Sequence, residues 1–405
     1  MALVSKTFSQ IITFTRASTA TYFDSAGVLQ SAAVDAPRFD YNPSTLAAQG
    51  LLIEESRTNS IRNNTMVGAA AGTPGTLPTN WVTVGGGLGT LTQQIVGTGT
   101  SNGITYIDVK ISGTTSTTSF GIQFDASTQI AALSGQNWTG SFWVSRVAGS
   151  NTNLTRIDIR VHERDAGGAS LAATGVDLLP SLSTTLTRNT VTRTMASAST
   201  AFVTSDVLFA FNSGVAIDIT LRIGLPQLEL GAFATSVIPT TTTALTRAAD
   251  VASVNTLSPW YNSASGTLYV EAVPNSPITN STNQPAVSLD DASLANRIQP
   301  FRTSSTGVFA GAMFVSSVNV YNPTTAGVWA ADAVGKIAMA FAPGNQNYAA
   351  NGVSGGAGAA ATLPVVTRLG IGLRGDNGAF FNGWIRRTTF YPRAFSLAEL
   401  QTITA

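Results

Sequence analysis

A two-residue alternation of apolar and polar side chains constrains this chain more than any other feature. Its clearest instance is Ile157-Asp158-Ile159-Arg160-Val161-His162, which sets Ile157, Ile159 and Val161 on one face and Asp158, Arg160 and His162 on the other. A half-buried β-strand has this period, and an amphipathic helix does not. Residues 104–109, 120–124, 138–147, 207–211 and 217–223 repeat the pattern, with Gly, Ser and Thr between them. Strands at this spacing predict a jelly roll or related β-sandwich. A second β block runs from residues 267–272 to 384–391 and contains a Gly/Ala tract at 352–361. Ser396 followed by Glu399 has capping-box spacing and predicts one short C-terminal helix.

Composition removes several function classes. Charged residues make up 11% of the 405, against 43% hydrophobic, so cores can form although charge is sparse. Lys and Arg total 22 and Asp and Glu 21, a balance with no basic field for nucleic acid. No cysteine is present, which excludes disulfides, thiol nucleophiles and thiolate-bound metals. No run of 18 apolar residues occurs, and residues 1–10 lack the apolar core of a secretory signal. Neither membrane insertion nor a cofactor is therefore expected.

The chain divides by pattern into three parts. Residues 1–60 hold short, interrupted β runs, too small for a large core, and read as a docking module. Residues 61–245 carry the first set of alternating strands. Residues 246–405 carry the second, after a linker at 240–246 (TTTTALT).

Three stretches resemble bacteriophage virion proteins of the fibre or spike type. The first is Phe14-Thr-Arg-Ala-Ser-Thr-Ala-Thr-Tyr-Phe-Asp-Ser-Ala-Gly-Val-Leu, with Pro37-Arg-Phe-Asp-Tyr and Gly50-Leu-Leu-Ile-Glu-Glu-Ser-Arg-Thr-Asn after it. The second, Leu225-Pro-Gln-Leu-Glu-Leu-Gly-Ala-Phe-Ala-Thr-Ser-Val-Ile-Pro followed by Thr246-Arg-Ala-Ala-Asp, looks like the exit of a carbohydrate-binding-type jelly roll. The third joins Leu369-Gly-Ile-Gly, Phe381-Asn-Gly-Trp-Ile and Tyr391-Pro-Arg-Ala-Phe-Ser-Leu-Ala-Glu-Leu. It is similar to the end of a concanavalin A-like, laminin G-like sandwich. The resemblance implies an all-β chain of tandem sandwiches, a jelly roll and then a concanavalin A-like sandwich, behind an N-terminal particle-docking module. It further implies a non-enzymatic virion protein on tail, baseplate or capsid, a homo-oligomer (a trimer by analogy with fibres), and contact with a host-surface glycan. The alternatives are a capsid decoration protein that binds no glycan, and a polysaccharide depolymerase.

The candidate chemistry is thin. Sugar recognition needs aromatic faces beside amide and acid groups, which nominates Trp260, Tyr261, Asn347, Tyr348, Asp376, Asn377 and Trp384. Trp81, Trp138, Trp143 and Trp384 read equally as core aromatics, and core is the favoured reading for any one of them. Glycoside cleavage needs two carboxyl groups across one bond. Glu54-Glu55 and Asp290-Asp291 are adjacent and would point to opposite strand faces, while Glu163 and Asp165 have i, i+2 spacing at a strand end. Surface charges at a turn are the preferred reading for that pair. His162 falls on the polar face with no second His or Cys to complete a site, and is expected to face solvent. Asp376-Asn377-Gly378 fits either a calcium-facing loop or an ordinary turn. Gly85-Gly86-Gly87-Leu88-Gly89 lacks the lysine of a phosphate loop and reads as a turn.

Overall fold

The computed structural model describes residues 6–278 and 282–405. Almost all regular structure is β, as the alternation requires, and the strands form two compact units. One unit, Arg57–Arg247, is continuous and inserted into the other. The split unit joins the chain up to Ser56 with Ala248–Ala405.

The inserted unit has two five-stranded antiparallel sheets. The first runs in the order Ser170–Asp177, Leu154–Arg164, Phe202–Phe211, Ser119–Gln123, Val82–Gly85. The second runs Thr187–Thr194, Asn137–Gly149, Ala216–Leu230, Ile104–Thr114, Thr92–Ser101. Ile157, Ile159 and Val161 enter the core with Val207, Phe209, Phe120 and Ile223, where Phe120 and Phe209 stack 4.8 Å apart. Each such side chain contributes about 1.5–3 kcal/mol by leaving water. Arg57–Asn59 pairs with Leu245–Arg247, so the chain enters and leaves this unit side by side.

Among the described residues, the split unit is a sandwich of a nine-stranded and a seven-stranded sheet. The larger includes, in order, Thr13–Thr15, Val251–Val254, Arg368–Ile371, Val287–Asp290, Arg297–Arg302 and Val308–Val315. The smaller includes Asn345–Ala350, Gly335–Ala342, Gly266–Pro274, Gly383–Tyr391 and Ala48–Ile53. Between them lie Phe14, Leu51, Ile53, Val270, Ile298, Met313, Phe341 and Tyr348.

Residues 1–60 are therefore not a module of their own. Thr13–Thr15 pairs with Val251–Val254 and Ala48–Ile53 pairs with Gly383–Tyr391, so the first segment supplies strands and core to the C-terminal sandwich. The interruptions seen in sequence reflect strands that borrow their partners from far along the chain.

Four of the charged residues in the resemblance stretches meet at one buried point. Asp250 lies 3.1 Å from Arg16 Nη1 and 2.5 Å from Arg38 Nη2, and Arg38 Nη1 lies 2.8 Å from Glu54. All four are at most 1% exposed. Asp250 also accepts from the Glu54 backbone N–H at 2.9 Å, and Arg16 donates to the carbonyls of Ser18, Ala33 and Ala36. This cluster ties the N-terminal strands to the point where the chain returns at Asp250.

The C-terminal helix Leu397–Thr404 begins at Ser396 with the expected capping box. Leu400 buries against Tyr269, Ala338, Ala349 and Phe395 on the smaller sheet. Within the Gly/Ala tract, Val353–Gly358 is a strand paired with Asn345–Ala350. A Cβ at Gly355 would overlap the Tyr348 ring, and one at Gly358 would stand 2.6 Å from Tyr321, so these rings require glycine beneath them.

Candidate functional site

The sequence-nominated residues do not form one site. Tyr348 is fully buried in the sandwich core, which leaves no ring face for a sugar. Trp384 is 8% exposed, packs on Leu52 and Val273, and donates from Nε1 to Asp40 Oδ2 at 2.8 Å. Trp260 and Tyr261 are half-buried with Phe390 at the core edge, ring centroids 5.4 Å from it in each case. Burial pushes the Tyr261 hydroxyl up to about 12. Asn347 is buried and donates to Asn345 Oδ1 and the Phe395 carbonyl. Residue type cannot tell which aromatic rings are covered, and these are covered wholly or in part. Trp81, Trp138 and Trp143 are likewise buried, each 5% exposed.

The Tyr348 hydroxyl has no hydrogen-bond partner among the described residues. Tyr348→Phe is therefore expected to leave stability unchanged or raise it by about 1 kcal/mol. A fall in the thermal midpoint would show that the hydroxyl is engaged after all.

Other nominated groups are held by structural contacts. His162 lies on the polar face, as its alternation requires, but it is 7% exposed rather than solvent-facing. Its Nε2 is 3.2 Å from Asp206 and its Nδ1 3.1 Å from Ser170 Oγ. Glu163, 1% exposed, is not a surface charge either: it accepts from Ser197 N–H and Thr200 Oγ1 and pairs with Arg193 at 2.5 Å. Asp165 accepts from the N–H groups of Gly167 and Ala169 in a turn. Asp376 is bound in two places by Arg374, at 2.7 and 2.9 Å, and also accepts from Gly378 N–H. Among the described residues no group of three or more His, Asp or Glu side chains could hold a metal ion.

Asp376 and Asn377 border a sheet face whose polar residues Ser288, Asp290 and Gln299 are buried. It is the face of the larger sheet turned away from the core. Val287, Leu289, Ile298, Phe309, Met313, Leu369 and Ile371 point inward, so alternation sends Ser288, Asp290, Arg297, Gln299, Ala310, Ala312, Phe314 and Arg368 outward. The register aligns Arg368, Asp290, Arg297 and Phe314 across four strands. A parallel row holds Ser253, Gly370 and Ser288, and continues with Gln299 opposite Ala312.

Several polar atoms on this face are unused. Gln299 is 4% exposed with Oε1 unpartnered, and Ser288 Oγ and Asp290 Oδ2 are buried without partners among the described residues. The other Asp290 oxygen accepts from Arg368 Nε at 2.7 Å, and Arg368 also donates to Asn377 Oδ1 and the Gly375 carbonyl. Arg297 lies over the Phe314 ring, 3.6 Å from its centroid. Burial and the neighbouring Arg374 charge both lower the Arg297 pKa. Phe301, Ala310 and Ala312 form an apolar patch beside the amide.

No family model matches the chain, and no curated protein matches it in sequence. Among solved structures it is similar to the Ruminococcus gnavus IT-sialidase CBM40, at 14% identity and a TM-score of 0.31, over 36% of this chain and 84% of that one. It is also similar to the mouse laminin alpha1 chain domains LG4-5, at 12% identity and a TM-score of 0.26, covering 65% and 86%. The SAP-like pentraxin from Limulus polyphemus has 12% identity and a TM-score of 0.29, over 35% and 70%. The all-β sandwich architecture is set by the chain's own sheets.

Two open grooves lie elsewhere on the split unit. One, of about 550 Å³ beside Phe8, Ile12 and Phe14, has Asp35 as its one acid, and that carboxylate already accepts from the Arg16 N–H. The other, of about 480 Å³, is lined by Val315, Val320, Ala359, Ala360, Ala361 and Thr362.

Proposed function

We propose that the chain is a non-enzymatic virion fibre or spike component that contacts a host-surface glycan. What supports the glycan half is the all-β architecture of two sandwich units, the class in which the resemblance places carbohydrate-binding folds. The virion half rests on the resemblance of the three sequence stretches. Glu163, the best candidate acid for cleavage, is fully engaged by Arg193, Ser197 and Thr200, which speaks against a depolymerase.

A glycan array with the full chain tests the binding half. Wild-type protein is expected to bind a subset of glycans. Absence of binding across the array defeats this reading and leaves the capsid-decoration alternative. Antibody labelling of purified particles tests the virion half, since unlabelled particles would exclude it.

A further inference from the structure

Four Asn-Gly pairs occur in the chain, at residues 102–103, 351–352, 377–378 and 382–383. Such a pair can modify itself. The backbone nitrogen after the asparagine can reach the side-chain amide carbon, and glycine has no Cβ to obstruct the approach. All four asparagines have left-handed backbones, with φ between 45° and 56°, so φ does not rank them. Hydrogen bonding does. Asn351 Oδ1 accepts from the Lys336 N–H at 2.9 Å, and the Gly352 N–H donates to Thr404 Oγ1 at 3.0 Å. Asn377 Oδ1 accepts from Arg368 at 3.2 Å, and the Gly378 N–H donates to Asp376 Oδ1 at 2.9 Å. Asn382 is 1% exposed, with both ends of its amide held by Glu55. Asn102 is exposed, and neither its amide nor the Gly103 N–H has a hydrogen-bond partner among the described residues.

We infer that Asn102 is a site of spontaneous deamidation in the folded chain, and the first of the four to react. The Gly103 nitrogen forms a bond to Asn102 Cγ, the Cγ–Nδ2 bond breaks, and the Gly103 amide proton leaves with the Nδ2 group as ammonia. Water then opens the resulting cyclic imide. Addition at Cγ restores the original main chain and leaves aspartate. Addition at the Asn102 main-chain carbonyl leaves isoaspartate, with an extra carbon in the backbone. No electron is gained or lost in either branch. The site is the two-residue turn between the strands Thr92–Ser101 and Ile104–Thr114, where Ser101 pairs with Ile104. Turn length fixes the register of a hairpin, so isoaspartate is expected to loosen this end of it. Aspartate, which tolerates the left-handed backbone, is not.

The test incubates the full folded chain at mildly alkaline pH beside a sample unfolded in urea, and follows each pair by peptide mass mapping. In urea the four pairs are expected to convert at similar rates, because the contacts that separate them are gone. In the folded chain Asn102 is expected to convert at least about 10-fold faster than the other three, since each hydrogen bond that must first break slows the step roughly 5-fold. Hydrogen exchange of peptides within residues 92–114 is expected to quicken as isoaspartate accumulates. Asn102→Asp is the control: it has no side-chain amide to lose, so the early release of ammonia is expected to vanish while exchange stays as in the fresh protein. Equal conversion of all four pairs in the folded chain overturns the inference. So does an intact Asn102 there at a time when the urea sample has converted. Isoaspartate at this position with unchanged exchange would sink the argument from turn length.

Discussion

Asp250→Ala is expected to destabilise the split unit by about 3–5 kcal/mol, the cost of leaving buried charges without their counter-ion. Asp250 is 0% exposed and touches both Arg16 and Arg38, so its removal takes a carboxylate away from two buried guanidinium groups at once. The carboxylate also receives the Glu54 N–H, and a Cβ cannot replace that acceptor. Asp250→Asn is expected to lose less, because the amide oxygen can still accept from the backbone. Urea denaturation read by hydrogen exchange of peptides from residues 10–54 and 248–405 measures this. A loss below about 1 kcal/mol would mean that water or a shifted Glu54 compensates, and the cluster would lose its standing as the tie between these segments.

Asp206→Ala is expected to have an effect of the same size, about 3–5 kcal/mol, in the inserted unit. Asp206 is 0% exposed and accepts from Arg160 at 2.8 and 2.6 Å, with His162 Nε2 3.2 Å away. Arg164 sits in the same cluster, donating to Thr204 and Gln123, so removal of the acid leaves a cluster of positive groups. Burial works to raise the Asp206 pKa, but the interactions with His162 and Arg160 outweigh it and the net shift is downward. The sign of the pH dependence follows. An unfolded Asp titrates near 4, so the contribution is complete above about pH 4 and is lost as pH falls toward the lower folded value. Asp206→Asn, which cannot ionise, removes this dependence. The gap in urea midpoint between wild type and Asp206→Asn should therefore be widest at about pH 7 and shrink below about pH 4. A gap independent of pH would show that Asp206 acts by shape and not by charge.

Much of the fold was legible because strand alternation is a local property. Ile157, Ile159 and Val161 did enter a core, and Ser396 with Glu399 did open a helix. The inserted unit, Arg57–Arg247, spans nearly the residues that the strand pattern assigned to 61–245. The site was far less legible. Trp384 and Tyr348 looked available because an aromatic residue carries the same letter whether its ring lies in a core or on a surface. The placing of Arg297 over the Phe314 ring passed unnoticed because only strand pairing brings the two together. His162 and Glu163 were read as exposed because polarity predicts solvent only when no partner is brought to meet it.

What the chain's own pattern decided is the period, the class and the absences: β-strands, no thiol chemistry, and no excess of basic charge. Tertiary structure alone decided that residues 13–53 complete the last sandwich and that Arg16, Arg38, Glu54 and Asp250 share one buried point. It alone brought Arg368, Asp290, Arg297 and Phe314 into one row. The physical reason is separation along the chain. Alternation is written in neighbours two residues apart, whereas pairing between Phe14 and Ala252, or between Arg368 and Asp290, depends on which distant strands lower the free energy by covering each other's edges.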